Sequence, residues 1–184
     1  MNPFKKLLGQ TAIYGLSSVV GRLLNYLLVP LYTRYFLPEE YAIVVELYAY
    51  VAFLVIILTY GIETAFFRFT KTTADIKSVY STALYSVITT SCIFIALTFV
   101  YSSSLSNLLG SGVLTEYIEW FAIIVAFDAI SSIPFARLRN RERALQFSLI
   151  KLINISTNIA LNLYFIVYKG FGIEYIFISN LVAS

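Results

Sequence analysis

The sequence contains no histidine, one cysteine and one methionine. The absence of histidine removes the commonest metal ligand and the side chain that most often acts as a general base near neutral pH. A single cysteine, Cys92, cannot form a disulfide framework or a cysteine-based zinc site. The chain also has no glycine-rich nucleotide-binding motif and no hydrolase nucleophile motif. We therefore expect no catalytic residues, no metal site and no cofactor.

Charge is also scarce in this chain of 184 residues. Only 12% of the residues are charged and 59% are apolar, whereas a soluble domain has about 25% charged and about 45–50% apolar residues. The mean hydropathy is +0.81, and the net charge of +3 is too small to indicate binding to a nucleic-acid backbone. The composition predicts a membrane protein and excludes a soluble globular domain, a disordered chain and a nucleic-acid binder.

The apolar segments predict an all-α, polytopic membrane helix bundle that forms a single transmembrane domain over residues 1–184. We expect about five complete transmembrane helices and the start of a sixth, over residues 7–31, 41–67, 79–101, 113–136, 145–168 and 174–184. The sixth segment has only 11 residues and reaches roughly 16 Å, about half of the hydrocarbon core. We therefore expect the sequence to be part of a longer protein.

Prolines and turn residues divide these spans. Pro30 predicts a kink near the end of the first span, and Pro38 followed by two glutamates predicts a helix start. Asp75 is a candidate cap for the third span. We predict turns over residues 102–112 and 169–172, which are rich in serine or glycine.

The loop charges predict an orientation. One side of the membrane would carry Lys5, Lys6, Arg68, Lys71, Lys77, Arg137, Arg139, Arg141, Arg143 and Lys151, and the other side only Arg34 and Lys169. Lysine and arginine concentrate in cytoplasmic loops. We therefore expect a cytoplasmic N-terminus.

The first span carries a polar face. Thr11, Ser18, Arg22 and Asn25 are spaced seven, four and three residues apart, so they share one side of a helix. Arg22 either pairs with an acid on a neighbouring helix or faces a polar cavity and binds an anionic ligand. A guanidinium suits phosphate because its fork binds bidentately, so Arg22 and Asn25 are candidate substrate-binding residues.

The fifth span carries a second polar stripe. Its members, Lys151, Asn154, Asn158 and Asn162, recur at intervals of three and four residues. The amides either form interhelical hydrogen bonds or line a path for hydroxyl-rich cargo. Two polar stripes on different helices favour a shared cavity, so the three asparagines are further substrate-binding candidates.

Among the acids within the spans, Asp128 lies deepest. It is either the partner of Arg22 or a proton or ion site, and thus a candidate ion-coupling residue; Glu46 and Glu63 are expected near the membrane interfaces. A basic cytoplasmic loop is predicted at Arg137, Arg139, Arg141 and Arg143. This loop either anchors lipid headgroups or captures an anionic lipid substrate.

Three segments carry a resemblance to a known family. Val29–Tyr41 (VPLYTRYFLPEEY), Gly61–Phe69 (GIETAFFRF) and Pro134–Arg139 (PFARLR) resemble segments of the Wzx-like polysaccharide transporters, a branch of the multidrug/oligosaccharidyl-lipid/polysaccharide exporters. One departure is Ala42, where the family often has glycine. The resemblance covers the whole chain.

The resemblance implies a transporter rather than an enzyme. Family members usually have 12 or more spans in two six-helix lobes, so this chain would be most of the N-terminal lobe. It would flip an undecaprenyl-pyrophosphate-linked oligosaccharide across the cell inner membrane, in polysaccharide, lipopolysaccharide or O-antigen biosynthesis. Its implied partners are that substrate, membrane lipid and the polysaccharide polymerase or ligase machinery. The alternatives are a multidrug or cation antiporter of the same superfamily, and a non-transporting scaffold of a polysaccharide synthase complex.

Overall fold

The computed structural model describes residues 3–73, 75–110 and 114–184, and it leaves the side chains of residues 3–11, 17, 18 and 25 undescribed. Within these ranges the chain is helical, with no β-strand. Among the described residues, five helical segments are long and apolar enough to cross a membrane: Ala12–Tyr35, Pro38–Thr72, Ile76–Leu109, Thr115–Asn140 and Ala144–Tyr168. The predicted all-α membrane bundle is confirmed.

Breaks divide some of these segments into shorter helices. In chain order the elements are α1 (Pro3–Tyr26), α2 (Leu28–Tyr35), α3 (Pro38–Thr59), α4 (Ile62–Thr72), α5 (Ile76–Leu109), α6 (Thr115–Asn140), α7 (Ala144–Asn162), a π-helical segment (Leu163–Tyr168) and α8 (Glu174–Ala183).

The break between α1 and α2 follows from Pro30. Proline has no backbone N–H and crowds the carbonyl four residues earlier, which here belongs to Tyr26, the last residue of α1. The helix is therefore interrupted at Leu27, three residues before Pro30, in the region where the sequence predicts a kink. Further along, α3 begins at Pro38 as expected, and the carboxylate of Glu40 accepts a hydrogen bond of 3.1 Å from the N–H of Leu37.

The second span is not one continuous helix. Tyr60 and Gly61 both adopt left-handed backbone conformations, with φ of 33° and 74°, and they separate α3 from α4. Glycine takes this conformation without steric cost, whereas a residue with a Cβ rarely does. The sequence pattern gave no sign of this break.

The predicted turn over residues 102–112 begins too early, and its last two residues lie outside the described residues. The helix α5, which Asp75 caps by accepting a 3.0 Å hydrogen bond from the N–H of Ser78, continues to Leu109. Serine is accommodated in this helix because its hydroxyl can donate a hydrogen bond to a helix carbonyl. Ser102 Oγ, for example, donates to the carbonyl of Phe99 at 3.0 Å. The helix ends at Gly110, whose φ is 105°. The predicted turn at 169–172 is confirmed.

The fourth spanning helix also runs beyond its predicted end at residue 136. The helix α6 passes through Pro134 and ends at Asn140, and its packing holds it in place, since Ile133 and Ala136 are completely buried. Arg137 and Arg139 consequently lie in the last turns of α6 rather than in a loop, which corrects that prediction.

The bundle packs around α6. This helix contacts α3, α4, α5, α7 and α8, and Ala122, Val125 and Ala129 are inaccessible. The outer helices show the opposite pattern, because Phe53 on α3 and Val100 on α5 are 70% and 74% exposed. Apolar side chains directed outward are what a lipid environment requires. The protein is a multi-pass membrane protein.

Candidate functional site

A cavity of about 950 Å³ lies among α1, α6, α7 and α8. Its polar and charged lining residues are Arg22, Glu63, Asp128, Ser131, Ser132, Arg139, Lys151, Asn154, Thr157 and Ser184. Charged side chains within spanning helices are costly unless they face partners or a water-filled space. The concentration of polar groups here makes this cavity the candidate site.

A close approach of α1 and α7 forms one wall of this cavity. A Cβ on Gly21 would lie 2.7 Å from Cδ1 of Ile155, so the absence of a side chain at Gly21 lets the two helices meet. Arg22 follows Gly21 and Asn154 precedes Ile155, and both side chains line the same cavity. The structure therefore brings together Arg22 of the first predicted polar stripe with Lys151 and Asn154 of the second.

Arg22 is exposed to this cavity. Within the described part of the chain, it forms no ion pair with Asp128, although both residues line the cavity. The Asp128 carboxylate instead accepts a hydrogen bond of 3.1 Å from Ser184 Oγ. The guanidinium of Arg22 is thus available to a ligand, as is needed for its predicted binding role.

The asparagine stripe on α7 divides into two parts. Asn154 lines the cavity and donates a 2.6 Å hydrogen bond from Nδ2 to the carbonyl of Ala183 on α8. Asn162 is completely buried: Tyr32 donates to its Oδ1 at 3.0 Å, and its own Nδ2 donates to Asn158 at 2.8 Å. Asn162 therefore makes the interhelical hydrogen bond of the packing alternative, and neither it nor Asn158 lines the cavity. The remaining amide of the predicted set, that of Asn25, lies outside the described residues.

Lys151 is a second cation in the cavity. Its Nζ lies 5.6 Å from the ring centre of Phe135 and 5.4 Å from that of Phe147, and all three residues line the cavity. A cation over aromatic faces is held electrostatically without losing its charge. Lys151 was predicted on the polar stripe but not among the binding residues, and nothing in the sequence separated these two phenylalanines from the many aromatics at span ends.

The four arginines of the predicted basic loop have different environments. Arg139 forms an ion pair with Glu63 on α4, with 2.6 Å between Nη2 and Oε1, and both residues line the cavity. The guanidinium of Arg137 stacks 4.2 Å from the ring centre of Tyr80. Of the other two arginines, Arg141 and Arg143 are exposed beyond α6, and Arg143 donates to Gln146 at 3.1 Å.

Together, the fold and this cavity define an all-helical membrane protein with a polar, partly cationic chamber among its helices. Residues 31–184 match the family described as polysaccharide biosynthesis protein. The chain belongs to this family, which supports a membrane-associated role in polysaccharide biosynthesis and agrees with the sequence resemblance. Comparisons with curated proteins and with solved structures give no match.

Proposed function

We propose that this protein is a flippase that moves an undecaprenyl-pyrophosphate-linked oligosaccharide from the cytoplasmic to the outer face of the cell inner membrane. One observation supports this activity most: Arg22 and Lys151 line a cavity between spanning helices, and neither forms an ion pair among the described residues. A retained cation within a membrane span is a mark of function. Membership of the polysaccharide biosynthesis family makes a lipid-linked glycan the appropriate anionic ligand.

The chemistry of the cavity suits each part of such a substrate. Arg22 would bind the pyrophosphate through its guanidinium fork, and Lys151 would add a second positive charge. Asn154, Ser131 and Thr157 offer hydrogen-bond donors and acceptors to sugar hydroxyls. The volume of about 950 Å³ is near the upper end of the range for drug-sized ligands, about 300–1,000 Å³. The isoprenoid tail would remain in lipid.

The charge distribution supports an inward-facing orientation. Lysines and arginines mark the end of the bundle where α4 and α6 terminate, whereas glutamates lie in the first turns of α3, α6 and α8 at the opposite end. The cavity extends toward the basic end, since Glu63, Arg139 and Phe147 contribute to its lining. If the basic end is cytoplasmic, the cavity opens toward the side where the substrate is made. Transport would follow by alternating access.

Asp128 is our candidate for coupling this movement to an ion gradient. It is the cavity carboxylate that is not paired with Arg139, and it shares the cavity with Lys151. We expect Asp128→Asn to reduce transport driven by a gradient. Asp128 would have no role in coupling under one outcome. In that outcome Asp128→Asn transports at the wild-type rate, and collapse of the gradient stops transport by both the variant and the wild type.

Arg22→Ala in the full gene product, expressed in its own cell, tests the proposed function. We expect lipid-linked oligosaccharide to accumulate on the cytoplasmic face, with the protein level unchanged. The matched control is Arg34→Ala, which removes an exposed arginine of α2 outside the cavity.

Normal export by Arg22→Ala would contradict the proposed role of Arg22, and a drug-sensitivity phenotype without a glycan defect would favour a multidrug antiporter. Loss of protein without a specific export defect would favour a scaffold.

A further inference from the structure

The ion pair between Glu63 and Arg139 joins α4 to the central helix α6. Glu63 lies in the first turn of α4, directly after the two left-handed residues Tyr60 and Gly61. Arg139 lies in the last turn of α6. Because two left-handed residues interrupt the helix between α3 and α4, the position of α4 depends on its contacts with α5 and α6, to which the buried Phe66 contributes.

Arg139 retains unused hydrogen-bonding capacity. Its Nη2 contacts Glu63 at 2.6 Å, whereas its buried Nε has no hydrogen-bond partner among the described residues. The guanidinium also lies 5.7 Å from the ring centre of Phe67 on α4 and 5.9 Å from that of Phe147 on α7. The side chain is 36% accessible and lines the cavity, so an anion in the cavity can reach it.

We propose that Glu63 masks Arg139, and that a phosphate-bearing ligand in the cavity displaces the Glu63 carboxylate, binds Arg139 and thereby releases α4 from α6. A di- or pyrophosphate carries more negative charge than one carboxylate and offers more acceptor oxygens to the guanidinium fork. We call the state with the Glu63–Arg139 ion pair latched and the state without it unlatched. The ligand binds more tightly to the unlatched state, and this difference in affinity is the condition for shifting the two populations.

A second contact also joins α4 to α6. Thr70 Oγ1, near the end of α4, donates to Asn140 Oδ1 at 3.3 Å. This neutral hydrogen bond is longer than the ion pair and joins the last turns of both helices. We expect it to break together with the Glu63–Arg139 contact, so that the distance between the ends of α4 and α6 reports the state of the latch.

This inference rests on the proposed function for the identity of the natural ligand, but its test uses farnesyl pyrophosphate as a defined probe. The full gene product is purified in lipid nanodiscs. The expected affinities are about tenfold higher for Glu63→Gln and about tenfold lower for Arg139→Gln than for the wild type. The matched controls are Glu116→Gln and Lys77→Gln, which alter exposed charges outside the cavity, and their affinities should equal that of the wild type.

A distance measurement tests the mechanical part. Spin labels are placed at the exposed positions Thr72 and Arg141, through Thr72→Cys and Arg141→Cys in a cysteine-free background that includes Cys92→Ser. The probe should lengthen the distance in the wild type, and Glu63→Gln should show the longer distance without the probe. Equal affinities for Glu63→Gln and the wild type, or an unchanged distance on binding, would overturn the inference.

The same experiment separates this failure from a failure of the proposed function. If Arg22→Ala abolishes probe binding while Glu63→Gln leaves the affinity unchanged, the cavity binds pyrophosphate but Glu63 does not mask Arg139. If the wild type does not bind the probe, both the mask and the proposed substrate class are wrong.

Discussion

Two parts of one polar stripe on α7 lie in different environments. Lys151 and Asn154 face an open cavity, whereas Asn162, two to three turns further along, is sealed in a hydrogen-bond network with Tyr32 and Asn158. The periodic spacing is the same throughout. What differs is the neighbour: α1 and α8 leave space beside the first part, and α2 closes over the second. One polar stripe in a membrane helix therefore both lines a cavity and contributes to helix packing.

The largest expected contrast between the two parts is in solvent access. In a Cys92→Ser background, a membrane-impermeant thiol reagent should label Asn154→Cys rapidly. Labelling of Asn162→Cys should be about a hundredfold slower, because a buried thiol reacts only after local opening. Equal labelling rates at the two positions would show that the stripe is not divided.

The next contrast is in stability. Asn162→Leu leaves the buried hydroxyl of Tyr32 without its acceptor, and we expect a loss of about 2 kcal/mol in the free energy of unfolding. The matched double variant Tyr32→Phe/Asn162→Leu should lose less than the sum of the two single variants, since both polar partners are then absent. Thermal unfolding in detergent measures these differences, and strict additivity would show that the two side chains are not coupled.

A smaller stability effect is expected at Asn154. Its hydrogen bond to the carbonyl of Ala183 lies beside the cavity, where water can replace it. We expect Asn154→Ala to cost about 0.6 kcal/mol, the average for a side-chain hydrogen bond in a membrane protein, and to reduce transport by more than this loss of stability explains. A loss of stability as large as that of Asn162→Leu, measured in the same unfolding assay, would show that Asn154, like Asn162, contributes mainly to helix packing.

The smallest effect is expected for Gly21→Ala, at the helix crossing that forms the cavity wall. Gly21→Ala displaces only Cδ1 of Ile155, the far end of a flexible side chain. The gain in helix propensity, about 1 kcal/mol, offsets that displacement, so we expect unfolding to change little. Gly21→Leu should instead separate α1 from α7 and reduce both stability and transport. Unchanged transport in Gly21→Leu would show that the close approach is not needed.

Much of this fold follows from local chemistry that a sequence reveals. Pro30, Pro38 and Asp75 each act on backbone groups within four residues, so their effects on helix ends were predictable. The break at Tyr60 was not, because a tyrosine adopts a left-handed conformation only where its surroundings require it. The extension of α5 past Ser102 was missed for a related reason: serine favours turns in water but bonds to helix carbonyls where water is absent.

The candidate site was predicted only in part. Periodicity placed Arg22 and Asn154 on polar faces, and the structure shows that these faces meet in one cavity. Periodicity could not show which asparagines are sealed by α2, nor that Glu63, expected near an interface, pairs with Arg139. Both depend on contacts between residues distant in the chain, which spacing along a single helix does not encode.

Reconstituted transport tests the central claim most directly. Proteoliposomes containing the full gene product and lipid-linked oligosaccharide are exposed to an externally added glycosidase, and the rate at which inner-leaflet glycan becomes cleavable is measured. We predict a rate well above that of protein-free liposomes for the wild type and for Arg34→Ala, and a rate equal to that of protein-free liposomes for Arg22→Ala. A wild-type rate no higher than that of protein-free liposomes, or an undiminished rate for Arg22→Ala, would contradict the account.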